Sequence, residues 1–200
     1  TLIAANGIEL GVVTTHGGGA ADDTINPTSD GGATDPGDLR VVARGGAITD
    51  GASGAITTDG NAYLDADDGA GAVFDITLDN AGHDFDSDGA DAVGDGDTGA
   101  DFVSFFGAAA TIRDSNGLYA YDSSSTGAIS LTASAGDLTL GEITASATVL
   151  GVAMSGGVEA QDVSAASAAF GGAGSAIGGA TAAAGPVRVT RLIAAGAGGG

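Results

Sequence analysis

The sequence predicts an all-β chain, and within that class a right-handed parallel β-helix, or solenoid, with acidic loop insertions. Three observations lead there. Short apolar bursts with two-residue alternation recur along the 200 residues, each broken by Gly, Asp or Asn. No window longer than about ten residues keeps helical spacing; the Ala-rich stretch Ala165–Ala184 is cut by glycines at 171, 172, 174, 178 and 179. Several bursts are also copies of one another, and self-similarity of this kind marks repeat architectures.

In chain order the predicted strand bursts are Leu2–Leu10, Leu39–Ile48, Ala62–Asp65, Val73–Leu78, Phe102–Phe105, Gly117–Tyr121, Ile129–Leu140, Thr148–Val152, Val158–Val163 and Val187–Ile193. Leu131-Thr-Ala-Ser-Ala-Gly-Asp-Leu138 is similar to Val152-Ala-Met-Ser-Gly-Gly-Val158, about 20 residues later. Val41–Ile48, Leu2–Ile8 and, more weakly, Leu64–Val73 share the form: an apolar strand, a small residue, a Gly-containing corner, a second apolar strand. One such unit is too small to bury its own apolar face. Stacked at about 4.8 Å per rung, the units share a continuous interior. A propeller blade needs about 40–45 residues. An antiparallel β-sandwich is the alternative, although it favours unrelated strands over copies.

Residues 1–200 are expected to form a single β-helix fragment of a longer chain, with about seven to nine coils and loop insertions at 11–37 and 80–100. The chain does not begin with Met and ends in Gly198-Gly199-Gly200. It has 26 acidic residues against five Arg and no Lys, for a formal net charge of −21. Only Glu9, Glu142 and Glu159 are Glu; the other 23 acids are Asp, which favours turns and caps where Glu favours helices. Such a surface repels phosphates and anionic lipid heads and attracts cations, so neither nucleic acid nor membrane insertion of this segment is expected. The absence of Cys excludes thiolate metal sites and is compatible with a secreted bacterial protein.

Gly127-Ala-Ile-Ser-Leu-Thr-Ala-Ser-Ala-Gly-Asp-Leu-Thr-Leu-Gly-Glu-Ile-Thr-Ala-Ser146 resembles the repeats of filamentous-haemagglutinin-type exoproteins. The resemblance is clearest over 127–163 and extends to Leu2–Leu10, Leu39–Ile48 and Val187–Ile193. It implies a β-helical adhesin, secreted to the bacterial cell surface by a two-partner or autotransporter route. Gly11–Gly37 and Asn80–Ala100 depart from the pattern as acidic, Gly-rich excursions.

The sharpest local motif is Asp84-Phe-Asp86-Ser-Asp88-Gly89-Ala-Asp91-Ala-Val-Gly-Asp95, with acids at positions 1, 3, 5, 8 and 12 and Gly at 6. Alternating carboxylates on a sharp turn converge on one point, as Ca2+ coordination requires. Asp84, Asp86, Asp88, Asp91 and Asp95 are therefore the candidate metal ligands. Asp95 replaces the usual Glu, Asp91 replaces an apolar anchor, and neither flank reads as a helix. The competing explanation is density: 19 of the 23 Asp lie between Asp22 and Asp101. Leu64-Asp65-Ala-Asp67-Asp68-Gly69 is expected to be a solvated turn.

Catalytic candidates are few, and no enzyme is expected. His16 and His83, the only histidines, sit in the predicted loops and are expected at the surface. Gly171–Gly179 lacks the Lys of a phosphate loop. Phe102, Phe105 and Phe106 are expected inside the coil at the base of the acidic loop. The functional expectation is a structural or adhesive stalk whose partner is a cell-surface glycan, a protein receptor or a matrix. The alternatives are a calcium-dependent surface-layer or biofilm matrix protein and a β-helix polysaccharide-active enzyme.

Overall fold

The computed structural model describes residues 1–15, 38–58, 60–85, 101–172, 188–189 and 192–194. Among the described residues there is no helix, and every pairing between named strands is parallel. An antiparallel sandwich is thereby ruled out for the described strands.

Successive strands alternate between two sheets. The first holds β1 (Leu2–Ala4), β4 (Leu39–Ala43), β7 (Ala62–Asp65), β9 (Val103–Gly107), β11 (Leu118–Ala120) with β12 (Ser123–Ser125), β14 (Leu138–Ala145), β16 (Val158–Ala165) and β18 (Arg188–Val189). The second holds β2 (Ile8–Leu10), β5 (Ile48–Asp50), β8 (Ile76–Leu78), β10 (Ala110–Asp114), β13 (Ile129–Ala133), β15 (Thr148–Ala153), β17 (Ser167–Gly172) and β19 (Leu192–Ala194). In both sheets, order in the chain is order in space. A short third sheet pairs β3 (Val13–Thr14) with β6 (Ile56–Thr57), so the first predicted loop begins as a strand.

The bursts form strands because each alternates between a shared interior and solvent. In β13, Ile129, Leu131 and Ala133 are buried while Ser130 and Thr132 are only partly covered. Inward residues then line up from rung to rung. One row runs Leu39, Ala62, Val103, Ala120, Leu140, Ala160, alternating large and small. All six are nearly inaccessible. Alternation lets side chains of adjacent rungs interdigitate without voids, and each buried Leu or Ile contributes about 1.5–3 kcal/mol.

The twenty-residue step is visible in the register. Leu118 pairs with Leu138, and Leu138 with Val158. Leu131, however, pairs with Gly151, not with Val152 as the sequence copies suggest. The next rung explains the difference: Gly151 faces Phe170, and a Cβ at Gly151 would sit 3.1 Å from both Phe170 Cδ1 and Leu138 Cδ2. A glycine makes room for the aromatic ring.

Candidate functional site

On the outer face of the first sheet, two rungs fall out of step. Ala120 pairs with Val103, yet Ser124 pairs with Phe106, so β11–β12 spans one residue more than β9. Asp122 takes up the surplus with φ of 44°, the one non-glycine in the left-handed region among the described residues. Such a bulge re-aims neighbouring side chains. The backbone carbonyl of Asp122 accepts a hydrogen bond from Ser104 Oγ at 2.8 Å, which pins the distortion. Underneath, Ser123 occupies the row next to buried Phe105: its hydroxyl donates to Tyr121 O and receives the Phe105 N–H.

The distortion borders a groove of about 280 Å3, lined by Arg44, Tyr63, Asp65, Asp67, Ser104, Phe105, Phe106, Asp122 and Ser124. Register places Asp65 beside Phe106, and Phe106 beside Ser124, in one row. Asp65 is 7 % exposed. Its Oδ2 lies 3.0 Å from Arg44 Nη1, whereas its Oδ1 is buried with no hydrogen-bond partner. Arg44 also donates to the Asp67 carbonyl at 2.9 Å and lies 3.8 Å from the Asp67 carboxylate. Burial raises the pKa of Asp65 above the ordinary carboxylate value; the Arg44 charge opposes that rise and the Asp67 charge adds to it. Leaving a buried acceptor without a donor costs roughly 1–3 kcal/mol. Burial likewise raises the Tyr63 hydroxyl, whose ring carries the Arg40 guanidinium 5.6 Å from its centroid.

The expectation of a solvated turn over Leu64–Gly69 holds only in its second half. Asp68 Oδ1 accepts the N–H groups of Ala70 and Ala72, which lower its pKa, and Gly69 adopts φ of 72°. Leu64 and Asp65 instead belong to fully buried β7. Beside the groove, Phe102, Tyr119 and Tyr121 form an aromatic triad with centroids 5.7–6.3 Å apart. Of the three phenylalanines expected inside, only Phe105 is an interior residue. Strand alternation turns Phe106 to the groove, and Phe102 packs edge-on against the tyrosines.

Of the five candidate metal ligands, Asp86, Asp88, Asp91 and Asp95 lie outside the described residues, as does His16. Asp84 is described, and it is already engaged. Its backbone bridges Thr57 in parallel and its Oδ1 accepts from Asn116 Nδ2 at 3.0 Å. Among the described residues, no three His, Asp or Glu side chains are gathered so as to hold a metal ion.

His83 is a correction. It is not a surface residue but is wholly buried. Nδ1 accepts the Ile56 N–H at 3.0 Å, which leaves the ring hydrogen on Nε2 to be donated to Asp50 Oδ2 at 2.9 Å. Asp50 also accepts the Asn80 N–H, and the His83 carbonyl accepts the Ser115 N–H. Phe85 N donates to buried Asp114. The described part of the second predicted loop, 80–85, is thus stitched to the rungs on both sides. Every polar atom of the His83 ring is satisfied locally, so the ring acts as a clamp.

The fold and groove define an all-β protein of parallel strands with a polar recess on one sheet. Within it, residues 19–90 match a family model described as repeats of unknown function (DUF5649). No curated protein and no solved structure matches the chain.

Proposed function

We propose that the alternating sheets are the walls of a right-handed parallel β-helix, and that this chain is a stalk segment of a secreted bacterial surface exoprotein of filamentous-haemagglutinin type. One observation carries the reading. Each sheet stacks eight rungs in chain order, so that residues far apart in sequence repeat one contact pattern along an axis. Such a stack grows only in length, and its backbone ladders run along the direction of growth, which suits a part that holds a binding surface away from the cell. The net charge of −21 keeps the surface soluble and hinders side-to-side association. The region matched by the repeat family, 19–90, includes β4, β5, β7 and β8, which are rungs of the same stack.

The test is made on intact bacteria. Antibodies raised against this chain are expected to label the outside of unpermeabilised cells, and deletion of its gene to reduce adhesion to host cells or matrix. Labelling that appears only after lysis would contradict the reading.

A further inference from the structure

We propose that the outer face of the second sheet is a contact surface for a second copy of this chain, packed face to face as a two-fold dimer. Outward positions of its strands line up by register. Thr77, Thr111, Ser130, Leu150 and Ala169 form one row from β8 to β17. Thr132, Val152 and Gly171 continue the row in which Arg113 stands. The inward neighbours of these residues are buried, whereas Leu150 is 40 % exposed. Arg113 is laid along the surface, donating to Ser134 Oγ at 3.0 Å and reaching Met154 Sδ at 3.9 Å.

The first reason for a second copy is where the charge lies. The chain carries −21, and on the first sheet Glu142, Glu159 and Asp162 point outward from β14 and β16. Two copies approaching by that face bring like charges together, which is costly. Among the described residues the second sheet shows no outward acid from β10 to β17; Asp75 and Asp79, flanking β8, bound this neutral region. The second reason is pitch. Outward side chains repeat at the spacing of the rungs, about 4.8 Å, and only a surface of equal period interdigitates with them at every rung. A second copy has that period by construction. A two-fold axis along the strands, between β13 and β15, sets Leu150 of each copy against Ser130 of the other, large against small. The third consideration is area. Six rungs from β8 to β19, with about 17 Å of strand each, cover about 500 Å2 per copy. That is below the ~600–1,000 Å2 per partner of a stable complex, so the pairing is weak and reversible.

This inference goes beyond the stalk reading and does not rest on it, since labelling of cells and association in solution are separate measurements. The experiment is sedimentation equilibrium of the full chain at increasing concentration. In about 1 M NaCl, where charges are screened beyond about 3 Å, a dimer with a Kd of about 0.1–1 mM is expected. In about 0.01 M NaCl, where the Debye length is about 30 Å, repulsion between the two acidic chains is expected to weaken it about tenfold or more. Leu150→Asp, at an exposed position in the middle of the face, is expected to weaken the dimer about tenfold or more. Should that variant not fold, Thr132→Asp on β13 is expected to act in the same direction. Thr144→Asp, exposed on the outer face of the first sheet, is expected to leave the dimer unchanged. A chain that stays monomeric in high salt would overturn the proposal, as would a dimer that Leu150→Asp leaves intact. An equal loss with Thr144→Asp would overturn it by showing general repulsion, and assemblies that grow past two would do so by showing contacts that do not close.

Discussion

The stretch from β11 to β17 and the stretch from β4 to β10 are built on one plan but obey it differently. In the later stretch, neighbouring rungs are 19 or 20 residues apart, and the buried side chains are apolar apart from Ser123 and Ser125. In the earlier one the steps vary: Leu39 pairs with Ala62, Ile48 with Ile76, Ala62 with Val103. There the buried polar residues gather, including Asp38, Thr58, Asn61, Asp65, His83 and Asp114. Regular steps build the interior. Irregular ones bring together side chains that no local pattern pairs, and both the groove and the His83 clamp arise in this way.

A series of substitutions probes that contrast. Phe105→Ala, where the out-of-step rungs meet, removes the largest fully buried side chain among the described residues and is expected to cost about 3–5 kcal/mol in denaturant unfolding. Leu140→Ala, in the regular stretch, is expected to cost about 2–5 kcal/mol. If it instead costs less than His83→Ala, the aliphatic interior is not what holds the regular rungs. His83→Ala leaves the buried Ile56 N–H without an acceptor, for an expected loss of about 1–3 kcal/mol. Protection of the Ile56 amide against hydrogen exchange should fall in this variant while that of Leu140 is kept.

The next prediction concerns pH. The folded-state pKa of Asp65 is raised, so the unfolded chain releases this proton first. Stability contributed by this group is therefore greatest below the ordinary Asp value and declines as pH rises from there through the raised value. Asp65→Asn should flatten that part of the stability–pH curve; an unchanged curve would show that the buried carboxyl carries no such strain. The smallest effect is expected for Asp122→Gly. Relief of the left-handed backbone, partly offset by the greater freedom of glycine when unfolded, should raise stability by about 0.5–1 kcal/mol.

Much of the fold was legible. Ala62–Asp65 coincides with β7, and Leu2–Leu10 and Leu39–Ile48 each cover a strand, a corner and the next strand or its start. β10, β12 and β17 were not legible, and the reasons differ. Ser123–Ser125 carries no apolar residue, and is a strand because β9 and β14 offer it partners on both sides. Ser167–Gly172 lies in an Ala- and Gly-rich stretch that reads as broken, though Ala168 and Phe170 fill the interior. The groove left still less trace. Arg44, Asp65 and Asp122 meet because of unequal steps between rungs and one surplus residue, and neither is visible until the register is known. The calcium-type spacing at 84–95 is conspicuous in the sequence, but of its acids only Asp84 falls in the described rungs, already bonded to Asn116.

The central claim is that parallel rungs stack in chain order, in steps of about twenty residues from β11 onward, and cross-linking tests it directly. The chain has no Cys, so engineered pairs stand alone. Glu142 and Asp162 are register partners on β14 and β16, within the spacing that a disulfide spans. Glu142→Cys with Asp162→Cys is expected to oxidise readily to an intramolecular disulfide, whereas Glu142→Cys with Met154→Cys, on the other sheet's side, is not. Ready closure of the second pair and failure of the first would contradict the stack.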